Sequence, residues 1–106
     1  MVKVLVFQRA KTIEDIGPLM DALRELRNEA MKQPGYITGE TLVDVKDPCN
    51  ILIISTWHTV EQLNAWNKSE AYVKATRRVD PLLAEPHTER VYGYYLVREG
   101  KVWSTV

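Results

Sequence analysis

The chain has 106 residues and a mass of 12.2 kDa, so we expect a single domain over residues 1–106, with residues 98–106 as a C-terminal tail. Fourteen basic and fourteen acidic residues give a net charge of zero, which argues against nucleic acid or an anionic membrane as a partner. The single cysteine, Cys49, excludes an internal disulfide and a multi-thiolate metal site, and two histidines are too few for a histidine-rich metal centre.

From the sequence we expect neither a membrane span nor a secretory leader. No apolar run approaches the roughly 20 residues that cross a bilayer. The apolar start of the chain gives way to Gln8 and Arg9 without the pattern of a cleaved signal. Because a lone cysteine also suits a reducing compartment, we predict a soluble cytoplasmic protein.

The first half of the sequence predicts a strand, a helix and two more strands. Residues 2–8 are rich in β-branched and aromatic side chains, which favour a strand. Apolar residues spaced by three and four then predict a helix with Asp15 as its N-cap and an end before Pro34-Gly35. Residues 36–45 and 51–57 predict strands joined by a turn at 47–50, and Gly39 indicates a bulge. The apolar stripe comprises Ile16, Leu19, Met20, Leu23, Leu26, Ala30 and Met31, and the solvent side comprises Asp21, Arg24, Glu25, Arg27 and Glu29.

The second half predicts two helical pieces and a last strand. Thr59 to Gln62 fit a capping box that opens a short helix, and Ser69 fits the N-cap of a second helix. Asp80-Pro81 predicts the end of that helix, and residues 91–97 predict an uncharged strand. The tail at 102–106 is expected to turn back and add a short strand. The resulting order is β-α-β-β-α-β, an α+β ferredoxin-like fold with a four-stranded antiparallel sheet and helices on one face.

The strands predict a second apolar face that two helices on one side leave uncovered. Val2, Val4 and Val6 point to one face of the first strand, whereas Leu5 and Phe7 point to the other. Pairing two such faces removes about 800 Å² from water, or about 20 kcal/mol gross, against an association cost of about 4–15 kcal/mol. We therefore predict a two-fold homodimer through the sheet faces. The alternative is a monomer whose C-terminal tail folds over the sheet.

Several short motifs, in order, resemble the antibiotic biosynthesis monooxygenase superfamily over about residues 1–97. They are Pro34-Gly35-Tyr36, Ser55-Thr56-Trp57, the run Trp66-Asn67-Lys68-Ser69-Glu70, and Arg77. The resemblance implies a dimeric α+β barrel with a pocket between the sheet and the helices. It also implies several activities, which are metal- and flavin-free oxygenation of polycyclic phenols, anthrones or quinols, haem degradation, and isomerisation of small sugar-derived signals. Fold similarity does not choose among them.

Residue-by-residue comparison separates two branches of that superfamily. Haem degraders carry an asparagine, a helical tryptophan and a histidine. Trp66 matches the tryptophan, but Gln8 and Thr76 replace the asparagine and the histidine, so an axial iron ligand is missing.

The polyketide-tailoring branch carries an asparagine, a tryptophan, a tyrosine and an arginine. Trp57 and Arg77 match two of these positions, while Ile53 and Leu63 replace the asparagine and the tyrosine. Two of the four residues that characterise that branch are therefore retained.

The candidate site residues follow from the chemistry of cofactor-free oxygenation, in which an anionic substrate supplies the electrons. Arg77 is predicted to stabilise the substrate oxyanion, and Gln8 to orient a carbonyl. Flat aromatic walls are predicted from Trp57, Trp66, Tyr92 and Tyr94. The only histidines, His58 and His87, are base candidates. The structural alternatives are core tryptophans, a surface arginine and tyrosines that pack at a dimer interface.

Two functions of different classes follow. The first is a cofactor-independent monooxygenase acting on an aromatic or quinol-like small molecule. The second is a non-catalytic dimeric module that binds a small hydrophobic metabolite. The retained Trp57, Trp66 and Arg77 favour the enzyme, whereas the scarcity of bases and the apolar Ile53 and Leu63 favour the binding module.

Overall fold

A computed structural model describes residues 1–98 and 101–104, with side chains described as far as Tyr95. The main sheet is antiparallel with strand order β2-β3-β1-β4, and a separate two-stranded hairpin follows it. The elements are β1 (Val2–Arg9), α1 (Ile16–Ala30), β2 (Tyr36–Val43), β3 (Asn50–Trp57), α2 (Val60–Asn67), α3 (Glu70–Val79), β4 (Thr88–Gly93), β5 (Tyr95–Arg98) and β6 (Lys101–Ser104). The predicted ferredoxin-like α+β fold is confirmed, with the second helix divided into α2 and α3.

Helix α1 begins differently from the prediction. A 3-10 turn over Ile13–Asp15 precedes it, and the Asp15 side chain caps no backbone N–H. Instead, the Thr12 hydroxyl donates a hydrogen bond to Asp15 Oδ2 at 2.9 Å. Helical conformation therefore starts at Ile13, and Asp15 stabilises the turn that leads into the helix.

Gly35, just before β2, and Gly39, within β2, are each required for a different structural reason. Gly35 has φ +91°, a left-handed conformation that side chains with a Cβ rarely adopt. At Gly39 a Cβ would lie 2.4 Å from the Tyr36 Oη, so the glycine makes room for that phenol. The predicted bulge at Gly39 is wrong, because the irregularity in the β2–β3 register falls between Tyr36 and Thr38.

The N-termini of α2 and α3 follow the sequence closely. The Gln62 N–H donates to Thr59 Oγ1 at 3.1 Å, and the Gln62 side chain accepts from the Thr59 hydroxyl instead of its backbone N–H. Ser69 Oγ accepts from the Tyr72 N–H at 3.1 Å. At its other end α3 passes into a 3-10 turn over Asp80–Leu82, because Pro81 has no N–H to continue the helix.

The last strand of the sheet is displaced from the predicted residues 91–97. Strand β4 covers Thr88–Gly93 and pairs with β1, with Glu89 opposite Val6 and Arg90 opposite Leu5. An edge strand tolerates these charges because their side chains reach solvent. Tyr95 begins β5, which pairs with β6 from the predicted tail, while residues 105–106 lie outside the described part of the chain.

The sheet has one covered and one open face, and residues opposite each other in the register share a face. Val2, Val4 and Trp57 are buried on the covered face beneath the helices. A second buried cluster, around Leu19 and Val79, joins α1 to α3. The open face carries Leu5, Phe7, Leu42, Leu52, Ile54 and Tyr92, together with Lys3, Thr38, Glu40, Thr56, Thr88 and Arg90. Within the described residues, no helix is both long enough and apolar enough to cross a membrane.

Candidate active site

A cavity of about 90 Å³ lies between the covered face of the sheet and the helices, where the two buried clusters meet. Its floor consists of rows of residues that face each other across neighbouring strands. One row contains Ser55 and Gly39, and the next contains Thr41, Ile53, Val6 and Glu89. Its walls come from α1, α2 and α3, so every helix contributes to the enclosure.

One end of the cavity is aromatic. Trp57, on β3, stacks on Trp66 of α2 with ring centroids 6.3 Å apart, and Tyr36 meets the Trp57 ring edge-on at 5.4 Å. Tyr72 of α3 extends this series of ring contacts, because its ring meets Trp66 edge-on with centroids 5.4 Å apart. The Trp57 Nε1–H donates to Ser55 Oγ at 3.2 Å, which fixes the indole plane. The rings therefore form a stiff aromatic wall of stacked and edge-on groups, against which an aromatic ligand can pack.

Gln8 brings a polar group into the opposite end of the cavity. Its side chain is 7% exposed and faces the helices from β1. Its Oε1 atom is buried and has no hydrogen-bond partner among the described residues. Since an unpaired buried acceptor costs about 1–3 kcal/mol, this atom points to a donor supplied by a bound molecule or water.

Arg27 brings a positive charge into the cavity lining. The prediction that its side chain lies on the solvent side of α1 is therefore wrong. The residue is half-buried and lines the cavity, and its guanidinium donates from Nη2 to Thr41 Oγ1 at 2.6 Å. The nearby positive charge partly offsets the effect of burial on Tyr36, whose pKa is raised above its usual 10.0. Arg27 thus reaches from α1 across to β2.

The side of the cavity next to β4 is acidic and contains a histidine. His87, Asp80 and Glu89 line it, and His87 is half-buried. The pKa of Tyr72 is raised above 10.0, first by burial and then by the negative charges of Glu89 and Asp80. A protonated tyrosine therefore lies beside carboxylates that can accept a proton. This arrangement provides groups for acid–base chemistry opposite Arg27.

Of the predicted site residues, Gln8, Trp57 and Trp66 line the cavity together. Arg77 is exposed on α3 and lies outside the lining. Tyr92 is opposite Lys3 in the register and therefore belongs to the open face, and Tyr94 is also outside the lining. The structure thus brings together three of the six.

The base candidates and the positions at which this chain departs from the family's residues can also be sorted by whether they line the cavity. His87 lines the cavity, whereas His58 is exposed after the end of β3. Thr76, at the position of the haem degraders' histidine, lines the cavity and donates its hydroxyl to the Val73 carbonyl at 3.0 Å. Ile53 and Leu63 also line it, so apolar groups occupy the positions where the polyketide branch has an asparagine and a tyrosine.

Sequence reasoning missed Arg27, Tyr36, Tyr72 and Glu89 as cavity residues. A signal for Arg27 was present, because it lies four residues after Leu23 and hence on the apolar stripe of α1. Tyr36 and Glu89 could be placed only with the strand register. Within the part of the chain that the structure describes, no group of three or more His, Cys, Asp or Glu residues is arranged to hold a metal ion.

Comparison with known proteins gives the family of the chain. The antibiotic biosynthesis monooxygenase sequence pattern matches residues 13–78, from the turn before α1 almost to the end of α3. Protein SchA of Streptomyces halstedii is 26% identical over 81 residues, which make up 76% of this chain and 20% of SchA. The chain therefore spans about one fifth of the length of that curated relative.

Solved structures share the fold at low sequence identity. SnoaB, a cofactor-independent oxygenase from Streptomyces nogalater, has a TM-score of 0.80 at 9% identity and covers 88% of this chain and 91% of its own. A conserved protein from Methanosarcina mazei has a TM-score of 0.79 at 15% identity, covering 86% and 89% of the two chains. At these identities the likeness concerns the fold alone. Since the family pattern spans well over half of the sequence, the chain belongs to the antibiotic biosynthesis monooxygenase family.

Proposed function

We propose that this protein is a cofactor-independent monooxygenase that oxidises an aromatic or quinol-like small molecule in the cavity between the sheet and the helices. The observation that carries the proposal is the composition of that cavity. Stacked Trp57 and Trp66 form its aromatic end, and away from them a buried Gln8 carboxamide on β1 and the Arg27 cation beside β2 supply polar groups at separate positions. Family membership and the fold shared with SnoaB support it.

The reaction requires a substrate that supplies its own electrons. Loss of a proton gives a phenolate or carbanion, which passes one electron to O₂, and the two radicals join in a C–O bond. Protonation of the resulting peroxide and loss of water leave a new carbonyl. One oxygen atom stays on the substrate, the other leaves as water, and the substrate provides all four electrons.

Each polar group has a place in this scheme. Arg27 stabilises the oxyanion through charge-assisted hydrogen bonds, which lowers the cost of deprotonation in a partly enclosed site. His87 and Glu89 are the base candidates on the β4 side, and Tyr72 can return a proton to the peroxide. Arg77, predicted for the oxyanion role, lies outside the cavity, so we assign that role to Arg27.

We also propose a homodimer through the open face of the sheet, working in the cytoplasm. Phe7 and Leu42 on that face are 42% and 43% exposed, and half-buried Leu5 and Ile54 lie in the neighbouring row on the two central strands. A second copy would remove this apolar surface from water. The cytoplasm keeps a lone thiol such as Cys49 reduced.

Oxygen uptake tests the function. Purified protein would be incubated with an anthrone and with menadiol in air-saturated buffer, with buffer and heat-inactivated protein as blanks. We expect uptake above both blanks for at least one of the two substrates, with incorporation of one labelled oxygen atom from ¹⁸O₂ into its product. Arg27→Met should lower kcat/KM by about 100-fold, since a preorganised oxyanion donor contributes roughly that factor.

Two other arginines complete the experiment. Arg24→Met, one turn earlier on α1, replaces an exposed arginine paired with Asp21 and should keep wild-type kinetics. Arg77→Ala decides between the two oxyanion assignments, because a larger loss there than in Arg27→Met would restore the sequence-based one. Ligand binding without any oxygen uptake would replace the enzyme with the metabolite-binding module.

A further inference from the structure

We infer that the cavity recognises a single aromatic ring carrying an anionic oxygen group at one end and a hydroxyl at the other. The anion would bind Arg27, and the hydroxyl would donate a hydrogen bond to Gln8 Oε1. This inference takes the cavity of the proposed function as the reacting site and specifies its ligand class. It depends on the buried acceptor, the position of the cation and the size of the cavity.

Gln8 determines what the ligand must offer at one end. Its Oε1 is an acceptor, so only a donor satisfies it, and a ligand carbonyl or ether oxygen would leave it unpaired. A phenolic hydroxyl is the common donor of an aromatic molecule. Because the side chain is more than nine-tenths buried, water does not readily replace that donor once a ring fills the cavity.

Arg27 determines the other end. A guanidinium has five N–H donors, and the bond to Thr41 engages one of them, so further donors remain for a planar anionic group. Thr41 and Gln8 lie on β2 and β1, separated by β3 and by one row of the sheet. Strand spacing and rise put their Cα atoms about 12 Å apart. Arg27, held at Thr41, and Gln8 both reach inward across this distance. The space left between the guanidinium and the carboxamide is then about the width of one substituted ring.

The volume of the cavity limits the number of aromatic rings that a bound ligand can have. About 90 Å³ is nearest to the roughly 150 Å³ void that binds benzene, and it is far below the roughly 300–1,000 Å³ of ordinary ligand sites. Buried Trp57, Leu63 and Trp66 pack against one another along the wall, which limits expansion. A single substituted ring therefore fits best, whereas three or four fused rings would have to extend out of the cavity or displace a helix.

The charge layout fixes the orientation of the ligand. Arg27 lies over β2, whereas Glu89 is on β4, in the same row as Thr41 but three strand intervals away, or about 14 Å. His87 and Asp80 lie near Glu89 in the lining. An anionic group at the β4 end would meet carboxylates, so it is directed to Arg27. The hydroxyl then lies toward Gln8 and the base candidates.

Anaerobic calorimetry tests the inference without requiring turnover. The probes are 4-hydroxybenzoate, benzoate and phenol, with 2-hydroxybenzoate as a comparison because its hydroxyl bonds to its own carboxylate. Wild-type protein should bind 4-hydroxybenzoate about tenfold more tightly than benzoate or phenol, since each loses one of the two anchors. In Gln8→Leu the preference over benzoate should vanish, and in Arg27→Met the preference over phenol should vanish.

Controls separate recognition from folding. Gln8→Leu removes an unpaired buried polar atom, so its Tm should equal or exceed that of the wild type. If Gln8→Leu does not fold, Gln8→Met and the wild-type comparison of the four probes carry the test. Arg24→Met should bind all four probes as the wild type does.

The outcomes also distinguish this inference from the proposed function. Equal affinity for 4-hydroxybenzoate and benzoate, or a preference that survives in Gln8→Leu, would overturn the inference. Tighter binding of anthracene-2-carboxylate than of 4-hydroxybenzoate would also overturn it. If anthrone is oxygenated but no single-ring probe binds, the inference fails and the proposed function stands. If the probes bind as expected but no substrate takes up oxygen, the inference stands and the monooxygenase function fails.

Discussion

The two faces of the sheet are built from alternate residues of the same strands, yet they serve different purposes. On the covered face, Val2 and Trp57 are at most 1% exposed, and polar residues appear only where they line the cavity. On the open face, Leu5 and Ile54 form an apolar centre between the charged edge positions Glu40 and Arg90. One face encloses a site, and the other presents a surface.

The difference shows how a short chain can provide both an enclosed site and a surface for association. Strand alternation sends every second residue to each face, so a strand apolar on both sides requires two coverings. The helices supply one covering and close the cavity around Gln8 and Arg27. In our proposal a second copy supplies the other.

Trp57→Ala should give the largest loss of stability, because it empties the centre of the covered face. The indole contacts Tyr36 and Trp66, and truncation of a buried aromatic costs about 3–5 kcal/mol. Urea unfolding measures the free energy. Val45→Ala, at a side chain that is 98% exposed, is the control and should change stability by no more than about 0.5 kcal/mol. A loss below about 1 kcal/mol for Trp57→Ala would show that this face is loosely packed.

Leu5→Asp tests the open face. We expect the wild-type protein to have a solution mass of twice 12.2 kDa. In the variant the dissociation constant of the dimer should rise by at least about 100-fold, because a buried unpaired carboxylate costs several kcal/mol. Analytical ultracentrifugation from nanomolar to micromolar concentration measures both. Val45→Asp introduces the same charge at an exposed position and should leave the wild-type mass unchanged. Wild-type protein that remains at 12.2 kDa at micromolar concentration would rule out the proposed dimer.

Gly39→Ala adds one methyl group to the floor of the covered face. That group would meet the Tyr36 phenol, which must move and disturb its contact with Trp57, so we expect a loss of about 1–3 kcal/mol. Gly17→Ala is the matched substitution in α1, where nothing lies within 4 Å, and should stabilise by about 0.5–1 kcal/mol. Thermal unfolding compares the two. Equal shifts of the same sign would mean that Tyr36 does not occupy the space above Gly39.

Tyr72→Phe should change the alkaline stability of the protein. The folded pKa of Tyr72 is raised, so its contribution is complete below the unfolded value of about 10 and is lost as pH rises toward the folded value. The variant should therefore lose less free energy of unfolding than the wild type between about pH 9 and about pH 11. Some loss remains because the pKa of Tyr36 is raised as well. The exposed Tyr95→Phe is the control, and an unchanged slope in Tyr72→Phe would contradict its placement beside Glu89 and Asp80.

The sequence predicted the parts of the site that depend on local order. Thr59 and Ser69 were identified as helix caps from their spacing to the following residues, and both cap α2 and α3 as expected. Val2 and Val4 were assigned to one face by strand alternation, and Trp57 lies with them. Trp57 and Trp66 entered as pocket candidates through the family resemblance, and both line the cavity.

The misplaced residues depend on relations between distant elements. Arg77 and Arg27 are both helical arginines, and only the packing of α1 against β2 turns Arg27 toward Thr41. The sequence predicts Tyr92 as a pocket residue, but the face on which it lies depends on its pairing with Lys3 of β1. The start of β4 at Thr88 likewise depends on its ladder with β1, because the local sequence contains charges that an isolated strand would not favour.

Residue type and short-range spacing are enough to establish the order of the elements, the caps of α2 and α3, the strands that are apolar on both sides and the family resemblance. Which rows of the sheet meet across strands, and hence that Gln8, Arg27 and Glu89 surround one cavity, follows only from the folded chain. The physical reason is that strand register and helix packing are set by the sum of many weak contacts across the whole core, and no single segment contains that information.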